Sequence, residues 1–321
     1  MYSSKAKAYF AILLMFTIIG FNPLMLKITV KSVTALEILT YRLSFGFICA
    51  LIPVVLRKVK IKITFRDFLI ILPAMIAYAI CFFTLQTLAL ETLPSTESGI
   101  IFALSPILAA ILAAIFLKEK TNGFQILFII ISMTGVIFIM LMKGASAEAF
   151  NIRGTILMAL TTITFAATSI LLRRLSGRYP AYTITFLVSG LGFVAYNAAL
   201  IYVKLSSGTI GEYLAPLADW RILLAALFLG CGGMFGTSFL QSYALKELES
   251  TKVVVFSNLS TAITIFAGAI FLTEPVHWYH VLGTVVIIVG VIGTNWSSSD
   301  AREKRRAGRI SSPGTTGKEE P

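Results

Sequence analysis

Few side chains in this 321-residue sequence can do chemistry, and most of those that can sit singly within long apolar runs. Gln86 and Gln241 are amides 155 positions apart, and Asn22 and Asn258 are two more. Each amide brings four hydrogen-bonding sites that hydrocarbon cannot satisfy. Ser98, Phe102 and Ser105 recur at i, i+4 and i+7, which places them on one helical face, and Pro106 follows, where a missing N–H loosens the backbone ladder. Ser257, Asn258, Thr261 and Thr264 form a similar set, Tyr78 lies two turns before Gln86, and Pro23 interrupts its run beside Asn22. Groups of this kind hold a small polar molecule by hydrogen bonds, so Asn22, Tyr78, Gln86, Phe102, Ser105, Gln241, Ser257, Asn258 and Thr261 are the candidate binding residues. The plainer use of the same groups is to bond their own helix backbones or to stitch helices together.

Ionisable groups inside apolar runs are fewer still, and each is a functional candidate because a bilayer makes it costly. Arg42 lies about six residues, or roughly 9 Å, into its run. It is expected to snorkel outward, to pair with Glu37, or to draw an anionic group toward an outer cavity. Glu97 opens another run, where a helix N-terminus favours a carboxylate, and capping is its expected role. Glu119 and Glu274 close two runs, and Gly232 and Gly236 form a GxxxG beside Gly230 and Gly233. Together with Arg42, Glu97 and Pro106 these are the candidate gating or structural residues. Glu274, His277 and His280 stand at i, i+3 and i+6, which do not share a face, and Trp278 and Tyr279 between them read as anchors at a membrane interface. Cys49, Cys81 and Cys231 have no CxxC spacing. With no Ser-His-Asp order, HExxH, phosphate loop or Walker motif, neither catalysis nor a metal or cofactor is expected.

The elements that must carry these residues follow from composition. Hydrophobic residues make up 57% of the chain and charged residues 13%, with mean hydropathy +0.87, where a soluble domain has about 25% charged residues. Runs near the ~20 residues that span a bilayer are expected at 8–27, 36–56, 67–89, 96–117 and 122–142, then at 153–172, 181–203, 221–244, 251–272 and 277–296. Their continuous apolarity excludes the alternation of a membrane barrel. The expected fold is all-α and integral to the membrane, with ten transmembrane helices. Residues 1–7 precede them, 143–152 connect the halves, and 297–321 form a polar, disordered tail. With the N-terminus inside, 20 Lys and Arg fall on the cytoplasmic side against six outside (Lys27, Lys31, Lys143, Arg153, Lys204 and Arg221) and Arg42 within a helix. That bias predicts both termini in the cytoplasm. The net charge of +12 is then a topology signal, and nucleic acid is not an expected partner.

Shifting the chain by 155 residues aligns 86–137 with 241–292 without a gap, and about a third of the positions coincide. Gln86 meets Gln241, Ser95 and Thr96 meet Ser250 and Thr251, Ser105 meets Ser260, Glu119 meets Glu274, and Gly135 meets Gly290. Two halves, 8–142 and 153–296, with five helices each must enter the membrane in opposite senses. Inverted repeats place a binding site near the midplane between the halves and give alternating access by exchange of two arrangements. The expected protein is a secondary carrier of a small metabolite. A lipid-handling protein or enzyme within the bilayer would need paired acids, a His cluster or a reactive Cys. A non-transporting membrane partner would need a tail that binds something specific.

The stretches SPILAAILAAIFLKEKTNGFQILFIIISMTGVIFIM and LSTAITIFAGAIFLTEPVHWYHVLGTVVIIVGVIG resemble the two repeats of EamA-type carriers of the drug/metabolite transporter superfamily. TYRLSFGF around Arg42 and FTIIGFNPLMLK are similar to that family's second-helix and first-helix segments, with Phe16 where a Trp is common. The resemblance covers roughly 8–296 and implies the fold, a central cavity lined by both halves, and export rather than import. It names no substrate. Small multidrug-efflux relatives exchange protons on a first-helix Glu, and no acid lies between Phe10 and Leu26 here, so proton-coupled efflux of cationic drugs is not expected. Oligomeric state does not follow from these residues.

Overall fold

Long apolar sequence without strand-like alternation leaves the backbone to satisfy itself, and in lipid the helix is the way to do so. A computed structural model of the chain describes residues 2–117, 123–145, 151–176, 178–240 and 250–293, and these contain helices and turns without strands. The first half holds α1 (Tyr2–Thr29), α2 (Ala35–Val55), α3 (Phe65–Met75), α4 (Phe83–Thr92), α5 (Ser95–Phe102), α6 (Ser105–Leu117) and α7 (Gly123–Ala145). The second holds α8 (Ile152–Ser176), α9 (Ala181–Ser206), α10 (Trp220–Leu227), α11 (Ser250–Phe271) and α12 (Trp278–Gly293). Among the described residues, seven helical segments are long and apolar enough to cross a membrane, and three shorter apolar helices lie at Ile126–Ile139, Leu259–Phe271 and Trp278–Gly293. Large apolar side chains such as Phe10, Val55, Phe124, Ile137, Val194, Phe266 and Ile270 face outward, as a lipid-facing surface requires.

Two expected helices are interrupted. The run expected at 67–89 is a helix from Phe65 to Thr92, but Ile76–Phe82 within it is π-helical and separates α3 from α4. A second π-helical stretch, Phe228–Gly236, follows α10 in the other half. The two stretches precede Gln86 and Gln241, which the repeat pairs. The run expected at 96–117 breaks at Ala103–Leu104 into α5 and α6. Pro106 has no amide hydrogen to give to the carbonyl of Phe102, four residues earlier, and α5 ends at Phe102. Glu119, Gln241 and the tail 297–321 lie outside the described residues, as do the side chains of Pro106, Ser257 and Asn258.

Helices of the two halves interleave. α1 packs along α11, α2 along α9 and the Phe228–Gly236 stretch, and α4, α5 and α6 along α8. α7 crosses α12 through small residues. A Cβ on Gly290 would stand 2.6 Å from Ser132 Cβ, one on Gly135 would stand 2.9 Å from Ile287 Cγ1, and one on Gly283 would overlap Ile139 Cγ1. The Ser132 hydroxyl donates to the Ile287 carbonyl at 3.1 Å. Reading up α7 through Ser132, Gly135 and Ile139 meets Gly290, Ile287 and Gly283 in falling order, so the two helices are antiparallel. The 155-residue shift maps Gly135 on Gly290 and Ser132 on Ile287, so Gly135 against Ile287 is Ser132 against Gly290 with partners exchanged. Repeat-related helices thus meet about a local two-fold axis and run in opposite senses.

This crossing gives a direct test. Gly290→Leu forces side-chain atoms into the α7 backbone, where overpacking costs about 1–3 kcal/mol or more. Gly123, where an added methyl group would meet nothing within 4 Å, serves as the control site through Gly123→Ala. Thermal unfolding in detergent should fall for the first variant and stay unchanged for the second; equal melting would remove close α7–α12 packing as a stabilising contact.

Candidate functional site

α2 begins at a capping box in which the Thr34 hydroxyl accepts from the Glu37 amide while the Glu37 carboxylate accepts from the Thr34 amide at 2.9 Å. From that fixed start Arg42 lies seven residues in, roughly 10 Å along the axis, and is only 3% exposed. It neither snorkels nor pairs with Glu37. Positions five apart on a helix point about 140° away from each other at 100° per residue, and Glu37 is held by Thr34 and by Lys204 Nζ at 2.9 Å. The Arg42 guanidinium instead lies 4.3 Å over the Phe83 ring, and Nη1 donates to Gln86 Oε1 at 3.4 Å. Its Nε–H has no hydrogen-bond partner among the described residues. Burying an ion is worth several kcal/mol against folding unless partners compensate, and this one has an aromatic face and one long hydrogen bond.

Tyr78 belongs to the same cluster from the π-helical stretch, stacking on Phe82 at 5.2 Å and touching Phe83 at 5.0 Å between ring centroids. Such stretches often occur at functional sites because the i→i+5 register re-aims side chains. Phe102 packs on Phe165 of α8 at 5.0 Å and lies 6.3 Å from Phe82, so it joins the halves through aromatic contact. Ser105 and Thr261 are buried, at 8% and 6% exposure. Thr264 donates to the Gly20 carbonyl at 2.8 Å and ties α11 to α1.

The second π-helical stretch changes which glycines matter. Gly232 has only Ile18 Cγ2 near a Cβ, at 3.7 Å, and Gly236 faces the backbone of its own stretch. Close approach falls instead at Gly230, where a Cβ would overlap the Arg42 carbonyl oxygen, and at Gly233, where it would be 2.6 Å from Asn22 Oδ1. Spacing of four assumes the α-helical turn, and π-helical bonding rotates the face away from it. Asn22 Oδ1 is itself buried without a hydrogen-bond partner among the described residues. Sequence reasoning missed Phe83 beneath the guanidinium and Asn197, which donates to Ser44 Oγ at 2.9 Å and accepts from Tyr213. Asn197 carries the same signal as Asn22, an amide within an apolar run. A separate cleft of about 340 Å³, lined by Glu37, Lys204, Glu212 and Asp219 among others, does not include Arg42, Gln86 or Tyr78.

The other polar assembly is a clasp between the halves. Glu274, just beyond α11, accepts from the Ser95 and Thr96 amides at 2.7 and 2.9 Å and from their hydroxyls at 2.9 and 2.7 Å. It therefore caps the α5 N-terminus, where Glu97 stands as the acid of the first turn. Pro94 at the cap position supplies no side-chain bond, and an acid from another helix can reach the amides along the axis. On the other side of the same break, Lys27 Nζ donates to the carbonyls of Leu90 and Leu93 at 2.7 and 2.9 Å. The helix dipole favours each charge where it stands. Gly268 leaves the room: a Cβ there would lie 2.6 Å from Glu274 Oε2 and 2.7 Å from Ser95 Oγ. With Glu274 so engaged, the Glu274, His277 and His280 trio does not assemble, and the His277 amide donates to His280 Nδ1 at 3.2 Å.

Apolar helices, lipid-facing side chains and an antiparallel pair of repeat-related helices define an integral membrane protein built from two repeats, and comparison with known proteins narrows this. The chain belongs to the EamA-like transporter family, whose model matches residues 6–141 and again 152–296. It is 35% identical to the uncharacterized transporter YcxC of Bacillus subtilis over 291 residues, 91% of this chain and 93% of that protein. It is 25% identical to the pseudopaline exporter CntI of Pseudomonas aeruginosa over 90% of this chain and 95% of that one. A solved crystal structure superposes with a TM-score of 0.57 at 16% identity, covering 97% of this chain and 99% of that one, which shows the same fold.

Loss of the clasp has a measurable expected cost. Hydrogen bonds to charged groups contribute about 1.5–3 kcal/mol each, so Glu274→Ala should lower the melting temperature in detergent, and Gly268→Ala should do the same by displacing the carboxylate. A Glu274→Ala protein that melts with the wild type would show that the four bonds add no net stability.

Proposed function

We propose that this protein is a secondary carrier that moves a small metabolite, amino acid or similar in size, across the inner membrane, in the direction of export, by alternating access. The single observation that supports this reading best is the Glu274 clasp, a polar contact between the halves at one end of the helix bundle and one turn from Ser98. Hydrogen bonds of this kind exchange readily with water when the helices part, whereas an apolar seam would not separate so easily. On the topology set by the basic residues, with ten crossings and both termini in the cytoplasm, the clasp is the outer closure. The repeat carries Ser95, Thr96 and Glu274 onto Ser250, Thr251 and Glu119 in sequence, so the chemistry needed for a second closure is present once more. Export is favoured by the name of the Pseudomonas relative, an exporter.

Purified protein in sealed liposomes, loaded in turn with pooled amino acids, organic acids, amines and sugars, should show saturable counterflow for one pool. Absence of flux from every pool, with inserted and folded protein, would count against a carrier. Closure is tested separately in a background lacking Cys49, Cys81 and Cys231. A membrane-impermeant thiol reagent should modify Ser98→Cys slowly from outside and about tenfold faster once Glu274→Ala is added. Equal rates would mean that the carboxylate does not hold the outer side shut.

A further inference from the structure

Arg42 is the one buried Lys or Arg among the described residues, and no carboxylate among them faces it. The acid nearest in sequence on its own helix, Glu37, is taken up by Thr34 and Lys204. The titratable groups that act on Arg42 are the phenols of Tyr78 and Tyr196, neutral at physiological pH. Tyr196 is itself engaged, with its hydroxyl 2.6 Å from Thr84 Oγ1 and 3.2 Å from the Ile80 carbonyl. A guanidinium has five N–H donors in a planar fork, and among the described residues this one makes a single hydrogen bond, the 3.4 Å contact from Nη1 to Gln86 Oε1. Nε–H is buried and unpaired. A structural arginine in a membrane protein is ordinarily paired with an acid or with backbone carbonyls, and among the described residues this one has neither.

We infer that Arg42 is the anion subsite of the carrier, and that the transported metabolite bears a carboxylate which replaces the Gln86 amide oxygen on the guanidinium. Gln86 Oε1 stands where a carboxylate oxygen would, at the long limit of hydrogen bonding, so it is readily exchanged. A carboxylate offers two oxygens in one plane and matches the fork in a bidentate pair. One buried cation balances one negative charge, which fits a carboxylate better than a doubly charged phosphate. The Phe83 ring at 4.3 Å covers one face of the guanidinium and fixes its plane, and the π-helical stretch Ile76–Phe82, with Tyr78, borders the same group. The inference rests on the carrier reading for its biological meaning and on the geometry alone for binding.

The experiment is therefore a binding measurement, independent of flux. Thermal stabilisation of the purified, detergent-solubilised protein is read with phenylalanine, glutamate and succinate as carboxylate probes, and with putrescine, choline and inorganic phosphate for comparison. At least one carboxylate probe should raise the melting temperature, and the others of the comparison set should not. Arg42→Gln should abolish that shift. Because Arg42→Gln can also impair folding, the decisive variant is Gln86→Glu, which puts an oxygen in place of the amide nitrogen and sets a permanent carboxylate against the guanidinium. It should fold, melt at or above the wild-type temperature, and bind the carboxylate probe at least about tenfold more weakly. Gln86→Glu that retains the full ligand-induced shift, or stabilisation by phosphate or amines in place of carboxylates, overturns the assignment. Flux of carboxylate-free compounds alone would keep the carrier and remove the subsite, whereas Arg42-dependent binding without flux would keep the subsite and remove the carrier.

Discussion

A tight turn between two apolar helices leaves carbonyls open at the end of one and amides open at the start of the next, and lipid can satisfy neither. The break at Leu93–Pro94 is answered from both sides, by Lys27 on the carbonyls of Leu90 and Leu93 and by Glu274 on the amides of Ser95 and Thr96. Lys27 comes from the first helix of one half and Glu274 from the other half, so satisfying one turn of backbone ties together three parts of the chain. The interleaving of α1, α5 and α11 follows from that demand, since each must bring its end to the same place. Gly268 belongs to the same constraint, because only a residue without a side chain leaves the carboxylate its position.

The polar chemistry of the interior is arranged differently at Arg42. There the neighbours are an aromatic face and a neutral amide rather than a full set of donors and acceptors. A fully answered charge stabilises a fixed arrangement, and an incompletely answered one stores a deficit that a ligand can relieve. The clasp and the guanidinium thus represent the two ends of one scale, and the chain uses the first where it needs a closed contact between halves.

Much of the fold is legible in the sequence because its causes are local. Apolar runs mark the helices, Pro106 marks the end of α5, and the match of Gly135 with Gly290 marks the crossing of α7 with α12. The π-helical stretches are not legible, since hydropathy is continuous through them and the counting of faces assumes 3.6 residues per turn. That assumption is why Gly232 and Gly236 stand out in the sequence where Gly230 and Gly233 make the close contacts. Partners distant in sequence are equally hidden. Arg42 finds Gln86 44 residues away, and Glu274 finds Ser95 179 residues away, and neither distance leaves a mark on spacing. Gln241, Ser257 and Asn258, the counterparts proposed for the second half, have no described side chains to compare.

The position of Arg42 also bears on how the chain is made. α2 leaves the ribosome before Phe83 and Gln86 emerge behind it, so while it partitions into the bilayer its guanidinium has none of the neighbours it later acquires. On the scale set by translocon-mediated insertion a charge near a helix centre costs about 2.5–3.5 kcal/mol, and the remaining Leu, Ile, Phe and Val of ALEILTYRLSFGFICALIPVV must carry the segment in. The basic cluster from Arg57 to Arg66 stands directly after it in sequence, and such a flank favours retention of that end on the side of synthesis. Substitutions that thin the apolar content of α2 therefore act on biogenesis first, and they would lower the amount of protein in the membrane before they altered anything the finished molecule does.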